Sequence, residues 1–423
     1  MKNKIKTILL NYGKKHHWFM DLLRFIRTKI IIFRNRKFNK IEVDPKLIVF
    51  ESFMGRKYVD SPRAIYEYML SDKYFKDYKF VWFFKNPEEY MFLEKNNNTT
   101  VSTYGSTDYY KYYASAGYWI TNSRISYLLK KKKNQCYIQC WHGTPLKRLG
   151  FDIEVKGGNA MNNLKDIRDK YEKDAKNYDY MVSPSSFVTE KYKSAFNLNK
   201  CNPNVKIIEK GYPRNDFLST YSKKDIDKIK RDLNIPKNKK VILYAPTWRD
   251  NQHASGVGYT YKTEVDFDYL KSQLSKDYIL LFRAHYFVAS SFNFDKYKGF
   301  IYNVSDYNDI NDLYIISDLL ITDYSSVFFD YSILKRPIIF YMYDLEDYKH
   351  NLRDFYIDLK DLPGPIVENE KDLIKSIKDT KNFLYDNKYK KFNERFTYLE
   401  DGRASERVVN DIFIKGSNYE QEK

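Results

Sequence analysis

Leu319-Leu320-Ile321-Thr322-Asp323-Tyr324-Ser325-Ser326-Val327-Phe328-Phe329-Asp330 reads as a buried strand, a polar turn and the start of a helix over Val327–Leu334. An apolar run without polar alternation needs cover on both faces, as strands of parallel sheets do. Working outward, the same pattern recurs at Pro337–Tyr341, Phe300–Tyr302, Tyr278–Phe282 and Val241–Tyr244. Upstream it recurs at Val205–Ile208, Tyr180–Val182, Tyr137–Cys140, Tyr118–Thr121, Phe80–Phe84 and Leu47–Phe50. Helical stretches separate these runs, and one opens at Ser61-Pro62 with serine as N-cap and proline in the first turn. Strands alternating with helices imply βαβ units and parallel sheets. The charged stretch Lys223–Asn238 reads as a helix and a turn around Pro236, splitting the runs into two series. The expected architecture is α/β: two Rossmann-like domains at 43–236 and 237–415, preceded by a basic segment at 1–42.

In open α/β sheets, ligands bind at the carboxyl ends of strands. Cys140-Trp141-His142-Gly143-Thr144-Pro145-Leu146-Lys147 follows one such strand. Gly143 permits close backbone approach, Thr144 offers a hydroxyl, and Lys147 and Arg148 offer charge. His142 suits removal of a proton from an attacking hydroxyl, since an ordinary histidine has a pKa of about 6.5. A structural histidine in a turn is the plainer reading. Arg283-Ala284-His285 ends a second strand, and alternate residues of an extended segment point the same way. Arg283 and His285 can therefore grip one phosphate, with arginine in bidentate contact. Ser325 and Ser326 stand at a helix start, where free N–H groups favour an anion, and Asp330 lies about a turn further on. Ordinary capping is the simpler alternative. Thr247-Trp248 ends another strand, with Trp248 placed to stack on a base, and Gly211-Tyr212-Pro213-Arg214 brings Arg214 to a further strand end.

Several classes lack their signatures. The chain has no GxxxxGK[ST] P-loop, no GxGxxG and no serine nucleophile elbow. Asp266-Phe267-Asp268 is a formal DxD pattern, but its context is a helix start. Cys136, Cys140 and Cys201 are the only cysteines. They form neither a disulfide framework nor a zinc pattern, and they point to a reducing compartment. Aromatic residues make up 18% of the chain, which argues against disorder. Lys130–Lys133 reads as a solvated loop, and residues 416–423 as a frayed end.

The net charge is +18, and residues 1–40 carry much of it, with twelve Lys and Arg against one acid, Asp21. The same segment spaces Trp18, Phe19, Leu22, Leu23, Ile26, Ile30 and Phe33 three to four apart. Apolar residues at helical spacing with a basic opposite face suit an anionic membrane surface. A basic helix packed on the protein body is the alternative. No nucleic-acid motif accompanies the charge, so nucleic acid is not an expected partner. No apolar run approaches the ~18–20 residues that cross a bilayer, and Thr7–Leu10 is too short for a secretory signal.

Five motifs, in this order, resemble the CDP-glycerol glycerophosphotransferase family: Trp141–Lys147, Gly211–Asp216, Ala245–Arg249, Arg283–His285 and Ile321–Asp330. The resemblance runs from about Val43 to about Val408. It implies a GT-B fold with the active site in the interdomain cleft. It implies a CDP-glycerol or CDP-ribitol donor and an acceptor hydroxyl that attacks the β-phosphorus, releasing CMP, in synthesis of teichoic acid or a related surface polymer. On that pattern His142 is the general base, and Arg283 and His285 hold the donor diphosphate. Trp141, Gly143, Thr144, Pro145, Arg214, Thr247, Trp248, Ala284, Ser325, Ser326 and Asp330 fall at substrate-contacting positions. No cofactor or tightly bound metal is implied. The acceptor is expected to be lipid-linked, which places the protein peripherally on the cytoplasmic face of the membrane. A nucleotide-sugar glycosyltransferase of the same fold, with an anomeric carbon as electrophile, is the rival reading. A basic lipid- or nucleic-acid-binding protein without catalysis is a second.

Overall fold

The computed structural model describes residues 17–154, 164–247, 253–254, 258–259, 265–284, 292–345 and 355–415. Two all-parallel sheets organise them. The first contains β1 (Asp44–Glu51), β2 (Lys79–Phe84), β3 (Thr99–Thr103), β4 (Ala116–Thr121), β5 (Cys136–Gln139), β6 (Tyr180–Ser183) and β7 (Lys206–Glu209). Its order is β3-β2-β1-β4-β5-β6-β7. The second contains β8 (Lys240–Ala245), β9 (Tyr278–Phe282), β10 (Ile301–Asn303), β11 (Leu319–Thr322), β12 (Ile338–Tyr341) and β13 (Ile366–Val367). Its order, β10-β9-β8-β11-β12-β13, repeats the Rossmann pattern. A two-residue pair, His253–Ala254 with Gly258–Tyr259, stands apart from both.

The apolar runs do what their composition requires. Ile48, Val49 and Phe50 in β1, and Val241, Ile242 and Leu243 in β8, are fully buried. Each contributes roughly 1.5–3 kcal/mol relative to exposure. In each sheet the order reverses beside the first strand. The resulting switch points open between β1 and β4, and between β8 and β11.

Four local expectations change. The helix at Ser61-Pro62 is α2 (Asp60–Ser71) and starts two residues earlier, with Val59 at the N-cap position. Asp60 sits in the left-handed region (φ 68°), and its carboxylate accepts from the Ser61 N–H at 2.6 Å. Ser61 is thus tied down by its neighbour rather than capping the helix. Lys130–Lys133 is not simply a solvated loop. Lys131 Nζ pairs with Asp179, and Lys132 Nζ donates to the Ile41 and Ala114 carbonyls. The helix after Ser326 divides into α3 (Val327–Tyr331) and a 3₁₀ turn, Ser332–Leu334. Finally, the span 237–415 does not pack as one unit. Helix α4 (Ala404–Val409) and the turn after it return to the first sheet, where Val408, Val409, Ile412 and Phe413 join the β1–β2 core. Phe413 meets Phe75 and Tyr118 at 5.5 and 4.4 Å between ring centres. Those apolar side chains find an uncovered face there. Residues 416–423 lie outside the described residues.

Helix α1 (His17–Asn35) precedes the first sheet. Trp18, Leu22, Phe25, Ile26, Ile30 and Phe33 on it are all exposed. Among the described residues no helix is long and apolar enough to cross a membrane.

Candidate active site

His142 stands just past β5, and its neighbours fix its ring. Nδ1 lies 2.8 Å from the Asn122 carbonyl, just past β4. A carbonyl can only accept, so Nδ1 carries the hydrogen and Nε2 keeps its lone pair. Trp141 stacks on the ring at 4.5 Å, and Phe53 approaches it at 5.8 Å. His142 lines the cavities described below. Crowding around the ring desolvates the imidazolium and lowers its pKa. The Asn122 carbonyl and Asp60 oppose that shift, and Arg214 adds to it. A lowered pKa keeps His142 neutral at neutral pH, as a base must be.

The backbone around it is strained. Trp141 has φ 50°, and the turn after β1 holds three successive left-handed residues, Phe53 (φ 48°), Met54 (φ 57°) and Gly55 (φ 70°). For a residue with a side chain this costs roughly 1–2 kcal/mol. Hydrogen bonds compensate. Trp141 N–H donates to Gln139 Oε1 at 2.9 Å. Phe53 N–H donates to Asn122 Oδ1 at 2.8 Å and Met54 N–H to Ser123 Oγ at 3.1 Å.

Two adjoining cavities meet at His142 and Ser326. One, of about 380 Å³, is lined by Lys57, Asp60, His142, Arg214, Arg283, Ser326 and Asp330, among others. The second, of about 240 Å³, is lined by Trp141, His142, Gly143, Thr144, Pro145, Lys147, Thr247, Ser325 and Ser326, with others. Gly143 marks the closest approach: a Cβ there would stand 3.1 Å from Ser326 Oγ. Ser326 occupies the N-cap position of α3 but makes no capping hydrogen bond. Because α3 is short, its dipole is a minor factor, and a ligand would rely on the hydroxyls themselves.

Arg214 and Asp330 are partners. Arg214 Nη2 donates to both Asp330 oxygens, at 2.9 and 2.7 Å. Nη1 donates to the His142 carbonyl at 2.7 Å and to Asp60 at 3.3 Å. Asn215 also donates to Asp330, at 3.1 Å. This buried cluster positions the His142 loop. Thr247 is committed as well: its N–H and hydroxyl both donate to Asp323 Oδ1, at 2.8 and 2.6 Å. That contact ties the residues after β8 to those after β11. Arg283 Nη1 donates to the Val304 and Tyr307 carbonyls. Ala284 lines neither cavity, and its N–H donates to Ser305 Oγ at 3.2 Å. His285 and Trp248 lie outside the described residues.

Asp266 caps a helix by accepting from the Tyr269 N–H at 2.9 Å, and Asp268 pairs with Lys296. Among the described residues no group of three or more His, Cys, Asp or Glu could hold a metal ion. The sequence motifs missed Asn122, Phe53, Lys57 and Asp60. All four follow strand ends of the first sheet, so position was their only signal.

Residues 32–414 match the family model described as CDP-Glycerol:Poly(glycerophosphate) glycerophosphotransferase. The chain belongs to this family. A teichoic acid poly(glycerol phosphate) polymerase of Bacillus spizizenii is 42% identical over 372 residues, covering 87% of this chain and 92% of its own. One of Staphylococcus epidermidis is 40% identical over 430 residues. It covers 98% of this chain, which spans only 58% of that longer relative. A poly(ribitol-phosphate) polymerase of B. spizizenii is more distant, at 33%. A solved structure of the wall teichoic acid polymerase TagF, a histidine variant soaked with CDPG, is 38% identical. Its TM-score is 0.81, with 96% of this chain and 98% of that one covered.

Proposed function

We propose that the chain transfers glycerol phosphate from CDP-glycerol to a hydroxyl of a membrane-linked acceptor, releasing CMP. In this reading the acceptor oxygen forms a bond to the β-phosphorus, and the bond from that phosphorus to the bridging oxygen breaks. The acceptor proton passes to Nε2 of His142, and the electron pair leaves with CMP. One observation carries the reading: His142, whose Nδ1 is held by the Asn122 carbonyl so that Nε2 keeps its lone pair, lines a cavity that Lys57, Arg283 and Ser326 also line. In-line displacement at phosphorus needs this positioning and cationic support more than covalent catalysis. The lining supports an active site between two domains, because it draws on loops of both sheets. His285 as a diphosphate ligand, Trp248 as a base-stacking residue, and Thr144, Pro145 and Ser325 as substrate contacts are assigned from the sequence pattern. Glycerol is favoured over ribitol by the higher identity to the glycerol phosphate polymerase.

Helix α1 supports peripheral attachment to the cytoplasmic membrane face. Its exposed apolar residues are accompanied by Lys29, Arg34 and Arg36, and by the basic residues before it. A lipid-linked acceptor of a teichoic acid or related polymer would be concentrated there.

The test is CMP release from CDP-glycerol, CDP-ribitol and a UDP-sugar, each with a lipid-linked acceptor. CMP from CDP-glycerol supports the proposal. Release of UDP alone would refute it in favour of glycosyl transfer.

A further inference from the structure

Lys57 and Arg283 come from loops of different sheets and meet on one acceptor. Lys57 Nζ donates to the Tyr307 carbonyl at 3.0 Å. Arg283 Nη1 donates to the same carbonyl at 2.9 Å and to the Val304 carbonyl at 3.0 Å. Both side chains line the cavity that holds His142. Two cations sharing a neutral carbonyl repel each other. Burial lowers both pKa values, and for Lys57 the proximity of Arg283 is the next cause. Of the neighbouring carboxylates, Asp309 is engaged on both oxygens, accepting from Arg63 Nη1 and the Asn311 N–H, and Asp306 is exposed.

The backbone points the same way. Lys57 follows the left-handed turn Phe53–Gly55, which is pinned by Asn122 and Ser123. Backbone held in an unfavourable conformation by surrounding contacts is common where a ligand is clamped. The pinned turn sets where Lys57 enters the cavity.

We propose that Lys57 and Arg283 form a clamp for a diphosphate, with Lys57 contacting the nucleoside-diphosphate donor directly. A bound diphosphate would relieve the repulsion between the two cations. In the transfer reading, on which the donor assignment rests, the clamp would also stabilise charge on the departing phosphate. Anion binding itself does not depend on that reading.

The experiment is calorimetry with inorganic pyrophosphate, CDP and cytidine on the full chain, Lys57→Met and Lys57→Arg. Lys57→Met is expected to weaken pyrophosphate and CDP binding at least ~10-fold, the scale of one lost charge-assisted hydrogen bond. Cytidine binding and the melting temperature should hold, and Lys57→Arg should restore most of the anion affinity. Unchanged pyrophosphate and CDP binding in Lys57→Met would overturn the clamp. So would an equal loss for cytidine, which would make Lys57 structural. Lys57-dependent pyrophosphate binding without CMP release from any CDP-alditol would refute the transfer reading and leave the clamp standing. CMP release unaffected by Lys57→Met would refute the clamp alone.

Discussion

Replacing Arg214 with Met removes the charge at the centre of the buried cluster while keeping much of the aliphatic stem. The Arg214 side chain is 11% exposed and that of Asp330 9%. The substitution removes two hydrogen bonds to Asp330, one to Asp60 and one to the His142 carbonyl. Asp330 would keep only the Asn215 amide among these donors. Breaking a buried pair from one side typically costs ~3–5 kcal/mol, because a charge is left uncompensated. An exposed pair such as Lys46–Asp77, 3.8 Å apart, should be worth at most ~1 kcal/mol. The pH dependence separates charge from packing. Burial raises the Asp330 pKa above 3.8, and Arg214 is the main opposing influence. Without Arg214 the folded-state pKa rises further. A carboxylate with a raised folded pKa penalises the folded state above that pKa, and the penalty fades as pH falls through it towards the unfolded value. Urea midpoints of wild type and variant should therefore differ most near neutral pH and converge as the solution is acidified. A deficit below ~1 kcal/mol, or one independent of pH, would refute the argument that Arg214 compensates a buried charge. Replacing both members, Arg214→Met with Asp330→Leu, should recover part of the loss.

His142→Ala should lower transfer at least ~10²-fold with folding intact, and near-normal turnover would remove it as the base. In wild type, kcat/KM should fall only as pH drops below the ordinary histidine value of 6.5, because the His142 pKa is lowered; a limb well above 6.5 would contradict this. Gly143→Ala should impair turnover through the 3.1 Å approach to Ser326 Oγ; turnover equal to wild type would show that this close approach does not matter. Replacing Phe25, Ile30 and Phe33 of α1 together with Ser should weaken sedimentation with anionic liposomes and leave CDP binding intact. Sedimentation equal to wild type would show that these residues do not hold the membrane.

Much of the α/β framework was legible because burial on both faces leaves a local signature. Leu319–Thr322 is a strand as read, and Tyr278–Phe282 matches its expected bounds. The Trp141–Lys147 motif also stood out, since histidine, glycine and threonine after an apolar run have few structural reasons to occur together. Other features were less visible. Lys132 looks like a solvated charge in the sequence, yet its ammonium binds carbonyls from residues 41 and 114. The return of Phe413 to the first sheet depends on which face remains uncovered.

The sequence by itself determined most of the two series of strands, though not the edge strands β3 and β13, and the strand ends that carry histidine, arginine and serine. These follow from composition and spacing within short windows, where periodicity acts. Only the tertiary structure decided that Asn122 sets the tautomer of His142, that Arg214 is occupied by Asp330, and that Lys57 meets Arg283. The last two pairings join residues more than a hundred positions apart in the chain. They meet because strand order, not sequence order, sets which carboxyl ends are neighbours, and because residues past the strand ends of the two sheets bond to one another.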